Sequence, residues 1–179
     1  MKNLLWIVLV IISLTIFGFS VSKKIAFKQN VSGYLKRAAD ASTIDLANEE
    51  LTKAIDYLEA NNMTSGYTSI LYETPDEDIG FWYRNLKASQ NELANLKSES
   101  ALEKTNVLIK LRETLLDSGE KSKVTIPDGL AVYPNNALWA ALMWFALACG
   151  FVGFGLMLKE IGEAEKRYNE RKKLQNDEI

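Results

Sequence analysis

The sequence predicts an all-α membrane protein in which two transmembrane helices flank an extracytoplasmic helical hairpin or small helical bundle. Three observations predict it. No charged residue occurs from Asn3 to Ser22, none occurs from Gly129 to Leu158, and the region between carries most of the charge with its apolar residues at helical spacing. At 179 residues, the chain has room for one modest domain beside the two apolar runs.

Residues 1–22 are read as an N-terminal transmembrane anchor. The run from Leu4 is close to the roughly 20 helical residues that cross a hydrocarbon layer of about 30 Å. Ser20 and Ser22 around Val21 also match the small-x-small end of a secretory signal peptide, whereas Lys23 and Lys24 flank the run as they would a retained anchor. Retention is the expectation, and under either reading the residues that follow are translocated.

The second transmembrane helix is placed at residues 137–158. Trp139 and Trp144 lie near its start, where interfacial aromatics are enriched, and Lys159 ends it. Neither span contains an ionisable residue of the kind that marks an ion or proton path. Ala146, Gly150 and Gly153 are spaced to let another helix approach closely, either the first span or a partner. Basic residues flank both sides of the spans about equally. Orientation is therefore taken from the very short N-terminus bearing Lys2 and from the tendency of long loops to translocate regardless of charge. This puts residues 23–136 outside the cytoplasm, the charged tail 159–179 inside it, and the protein in the cell (inner or plasma) membrane.

Residues 23–118 are expected to form the helical hairpin or bundle. Ile44, Ala47, Leu51, Ala54 and Leu58 alternate steps of three and four, a seam of the coiled-coil type, with Ile55 widening it. No Pro interrupts the chain here, so the first helix is expected to continue to about Asn61, with Gly33 as its weak point. In Thr74-Pro75-Asp76-Glu77, Thr74 is the expected N-cap, Pro75 the first helical residue and Glu77 the reciprocal capping-box acid. Ile79, Trp82, Leu86, Leu93 and Leu96 then form one stripe, and Leu108, Leu111 and Leu115 another out of phase with it. A kinked single helix and two helices broken near residues 97–100 fit this equally, and Ser118-Gly119 is the expected helix end. Residues 119–136 read as a juxtamembrane linker with a turn at Pro127-Asp128-Gly129.

The unusual stretch is residues 64–86, TSGYTSILYETPDEDIGFWYRNL, which crowds aromatic and acidic side chains between two helices. Its acids are largely helix-start chemistry. Its aromatics either plug the end of a thin bundle or present a surface for recognition. Trp82 and Leu86 are assigned to helix packing, and Tyr67, Tyr72, Phe81 and Tyr83 are the candidate partner-binding residues. Successive helical side chains point about 100° apart, so Phe81, Trp82 and Tyr83 cannot all face one neighbour.

The chain has no His, and its single Cys, Cys149, lies in the second span. These facts remove His-based acid–base and triad chemistry, disulfides within the chain and ordinary zinc sites. There is no phosphate-binding glycine loop and no basic aromatic patch, so nucleotides and nucleic acids are not expected ligands. No catalytic, cofactor or metal residue is assigned. The expected function is a non-enzymatic membrane scaffold or docking protein. Its partners are the lipid bilayer and either a second copy or another membrane protein. The alternative is a ligand-sensing bundle that passes a conformational signal to a cytoplasmic partner.

Overall fold

The computed structural model describes residues 2–117, 119 and 122–177. It is 77% helix, with no strand among the described residues. Two of its helices are long and apolar enough to cross a membrane. In chain order the helices are α1 Lys2–Phe27, α2 Gly33–Ala39, α3 Ile44–Ala60, α4 Ile79–Asn95, α5 Ala101–Leu115 and α6 Asn136–Asp177. They form two compact units, one of residues up to Val21 together with those from Leu138 onward, the other Ser22–Ala137.

The first unit is an antiparallel helix pair. Near one end Trp6 Nε1 donates to Glu160 Oε2 at 2.7 Å, and near the other the rings of Phe19 and Trp139 stack with centroids 5.8 Å apart. Between them the backbones approach closely. A Cβ at Gly150 would lie 3.1 Å from Ser13 Oγ, and one at Gly153 would lie 3.0 Å from Val10 Cγ2 and 3.2 Å from Leu9 Cβ. Ala146, one turn before Gly150, is fully buried. The sequence-assigned small residues at 150 and 153 therefore face α1, where a larger side chain has no space. Beyond its apolar part, α6 continues as a helix through the charged residues to Asp177.

In the second unit the end of α1 passes through a π turn, Lys28–Ser32, into α2. The Gly33 N–H reaches back five residues to the Lys28 carbonyl, so Gly33 completes the π turn and does not break the helix. The break comes later. The expected run to Asn61 is interrupted at residues 40–43, and α3 starts anew with Thr43 as N-cap, its hydroxyl accepting from Leu46 N–H at 3.3 Å. A short polar side chain that satisfies an orphan helical N–H stops the preceding helix here without Gly or Pro.

Ala47, Leu51, Ala54, Ile55 and Leu58 are buried as the α3 seam predicts, and Ile79, Trp82, Leu86 and Leu93 are buried on α4. These helices pack antiparallel: Gln90 Nε2 of α4 donates to Thr52 Oγ1 of α3 at 2.8 Å. On the other side of α3, Arg37 Nη2 of α2 donates to Glu50 Oε1 at 2.9 Å, and Lys53 Nζ donates to the same oxygen at 3.0 Å. Only 2% of the Glu50 side chain is exposed, although both cations reach solvent.

The chain breaks between Asn95 and Ala101, so α4 and α5 are two helices. α5 ends at Leu115, earlier than Ser118-Gly119, and Ser118 lies outside the described residues. The reason is that Leu116 pairs antiparallel with Val124, with Asp117 N–H bonded to Lys123 O and Thr125 N–H to Leu115 O, both at 2.9 Å. α5 packs on α2 and α4 through Leu111 and Leu115, with Arg112 Nη1 donating to Asp40 Oδ1 at 2.9 Å and Lys110 Nζ bonded to Glu92. The described residues of the expected linker are part of the domain: Leu130 is fully buried, and Val124, Ile126, Ala131 and Tyr133 pack against the same core.

Candidate functional site

The aromatic, acidic stretch lies at the end of the bundle where the chain enters at Ser22 and leaves at Ala137. α3 stops at Ala60 because Asn61 caps it and Asn62 turns left-handed, at φ 56°, before Met63 N–H bonds back to Leu58 O. Gly66 then takes φ 93° with its backbone against the Tyr133 ring; a Cβ there would collide with the phenol, whose hydroxyl donates to Ser65 O at 2.8 Å. Only glycine combines this conformation with so close an approach.

From Gly66 the chain pairs with the start of α4. Tyr67 and Asp78 form an antiparallel bridge, Thr68 N–H donates to Glu77 O at 3.1 Å, and Ile79 N–H donates to Gly66 O at 2.9 Å. This moves the helix start. Pro75–Glu77 is a separate 3₁₀ turn, in which the Thr74 hydroxyl bonds Glu77 Oε2 at 2.6 Å, and the N-cap of α4 is Asp78, whose Oδ1 accepts from Phe81 N–H at 2.9 Å. Bridging to Tyr67 holds Asp78 extended, at ψ 101°, so the helix cannot begin at Thr74.

A helix start fixed this firmly aims three successive aromatics in three directions. Trp82 points inward, largely buried, with Nε1 donating to Thr125 O at 2.8 Å. Tyr83 points toward α3, half-buried, and its hydroxyl donates to Glu59. Phe81 points outward with 56% of its surface exposed.

Phe81 stands between two hollows. The larger, about 400 Å³, lies between the start of α4 and residues 125–128, and carries the carboxylates of Asp76, Asp78 and Asp128 beside Phe81, Trp82 and Pro127. The smaller, about 360 Å³, is lined by Tyr67, Glu73, Thr74, Pro75, Asp78 and Phe81. An exposed ring flanked by carboxylates is suited to an apolar segment bearing a cation. Of the sequence-assigned partner residues, Tyr67 and Phe81 line this surface. Tyr72 is exposed on a loop outside both hollows, and Tyr83 is engaged with α3. Sequence reasoning missed the wall made by Thr125, Pro127 and Asp128, whose only signal was the turn chemistry of Pro127-Asp128-Gly129. Among the described residues, no group of three or more Asp, Glu, His or Cys side chains is placed to hold a metal ion. No family model, curated protein or solved structure matches this chain.

The Tyr83–Glu59 contact has a pH signature. Burial, and then the bond to Glu59, push the Tyr83 phenol up from 10.0 to about 12. The unfolded chain thus releases this proton first as pH rises, and the contribution to stability, complete below pH 10, is lost between pH 10 and about 12. Tyr83→Phe is expected to melt lower at neutral pH and to show a flatter decline across that window. Melting curves that fall in parallel for the two proteins would rule this contact out as the cause.

Proposed function

We propose that this chain is a non-enzymatic docking protein anchored in the cell membrane by α1 and α6, with its Ser22–Ala137 domain outside the cytoplasm. The anchoring reading is supported by two helices of sufficient length and apolarity, antiparallel as spans with both chain ends on one side require. The docking reading rests on Phe81: a large apolar side chain is left exposed on a rigidly capped helix start, beside an acid-lined cleft. Aromatic side chains on rigid elements are favoured contact points because they supply large area with little ordering cost. The cleft's acid lining and exposed ring suit a basic and apolar segment, and in a membrane-anchored chain a second membrane protein presenting such a segment is the occupant proposed.

Two measurements test this. In intact cells, a membrane-impermeant maleimide should label Glu99→Cys and spare Tyr168→Cys; the reverse pattern would end the extracytoplasmic placement. A photo-crosslinking residue at position 81 should capture one discrete protein in native membranes, whereas one at position 99 should not. Phe81→Ala should remove the complex while changing the stability of the purified chain by less than about 0.5 kcal/mol, as at ordinary surface positions. Capture of the same protein from both positions would remove the docking site from Phe81.

A further inference from the structure

Residues 70–72 of the loop before the Thr74 turn are the most conspicuous apolar surface left unexplained. Ile70 is 52% exposed, Leu71 89% and Tyr72 74%, and none lines the hollows beside Phe81. The loop is not loose. Its base is pinned by Ile79 N–H to Gly66 O, by Thr68 N–H to Glu77 O and by the Tyr133 hydroxyl to Ser65 O. A Cβ on left-handed Gly129 would lie 3.8 Å from Thr68 Cβ, and Asn136 Nδ2 donates to Gly129 O at 2.9 Å. The loop is thereby tied to residues 129–136, the last before the uncharged helix continues at Ala137. From Tyr133 to Ala137 the chain spans at most about 14 Å even when fully extended.

We propose that Leu71 and Tyr72 rest in the interfacial layer of the same bilayer that holds α6, giving the domain a third, non-covalent foothold on the membrane. The inference depends on the reading of α1 and α6 as spans. Given that reading, the base of the loop is bonded to the segment 129–136 that runs directly into α6, and Leu71 and Tyr72 project from that base toward a headgroup region about 5–7 Å deep on each side in the arrangement proposed. Leucine paired with an amphipathic tyrosine suits that layer, and an exposed apolar cluster on a fixed loop marks an interaction surface more than a random exposure. Charge does not supply the attraction: Glu73 and Asp76 follow the loop in sequence, whereas Lys23, Lys24 and Lys28 lie where the chain enters the domain, so the contact is apolar and insensitive to salt.

The test uses the full chain in a Cys149→Ala background, reconstituted in phosphatidylcholine vesicles containing lipids brominated high in the acyl chain. Single cysteines at Leu71, Phe151 and Glu99 each carry an environment-sensitive fluorophore. The Phe151 and Leu71 probes should both lose emission to the brominated lipid and be shielded from aqueous iodide, while the Glu99 probe shows the opposite. Added salt should change none of these. A Leu71 probe open to iodide, with Phe151 quenched by lipid, would overturn the foothold and leave the spans intact. A Leu71 probe shielded from both quenchers would overturn it in favour of protein contact. A Phe151 probe untouched by brominated lipid would remove the span reading, and the foothold with it.

Discussion

Trp82→Ala is expected to destabilise the chain by roughly 3–5 kcal/mol, the range for deleting a buried aromatic ring, against a total stability of about 5–15 kcal/mol for a domain. The indole is the point at which two sides of the bundle meet. Its ring packs with Ile79 and Leu86 in the core, and Nε1 holds the Thr125 carbonyl at 2.8 Å. Trp82→Phe separates the two effects: it keeps much of the ring and deletes the donor, so it should cost about 0.5–1.5 kcal/mol, the net worth of one hydrogen bond whose acceptor, on the exposed Thr125, water can still reach. Thermal melts of both variants in the same detergent make the comparison. Equal losses would show that the hydrogen bond, and not packing, dominates; no loss in either would remove Trp82 from the core.

Gly153→Val is expected to force α1 and α6 apart. A Cβ alone would already lie 3.0 Å from Val10 Cγ2 and 3.3 Å from the Trp6 carbonyl oxygen, closer than ordinary contact, and valine adds two methyl groups beyond it. Overpacking of this kind costs about 1–3 kcal/mol. Gly155 provides the internal control: it lies on the same helix two residues on, and a Cβ there would meet nothing within 4 Å. Gly155→Val should therefore leave the helix pair unchanged, read by oxidative crosslinking between cysteines placed at Phe19 and Trp139. If the two valine variants crosslink alike, the small residues do not define this seam.

Local patterns in the sequence located the helices; tertiary pairing decided where several of them end. The α3 seam and the α4 stripe were legible because burial repeats with the helical period. The turn at residues 40–43 was not, because Thr43 stops a helix by a hydrogen bond in a stretch that otherwise favours continuation. Thr74 was a sound cap by sequence, but Asp78 prevailed because its bridge to Tyr67, a contact made through the folded loop, fixes its backbone first. Glu50 reads as one more acid on a charged helix; its burial depends on Arg37 of α2 arriving beside it, where Lys53, one turn on in α3, already stands. At the candidate site, the alternation of Phe81, Trp82 and Tyr83 around the helix was legible. Which of the three faces outward depended on residues 125–128, more than a helix's length further along the chain.

The bond from Trp82 to Thr125 spans 43 residues of sequence, and this separation sets a schedule for the newborn protein. At roughly 5–20 residues synthesised per second, about 2–9 s pass between the emergence of the tryptophan and that of the segment around Thr125 that it bonds. Throughout that interval α3 and the start of α4 are complete, yet one side of their apolar seam has nothing to close on. The domain must wait as an open sheaf, vulnerable to association with its neighbours, until Leu116, Val124, Ile126 and Leu130 close its core only moments before the second long apolar helix begins to emerge.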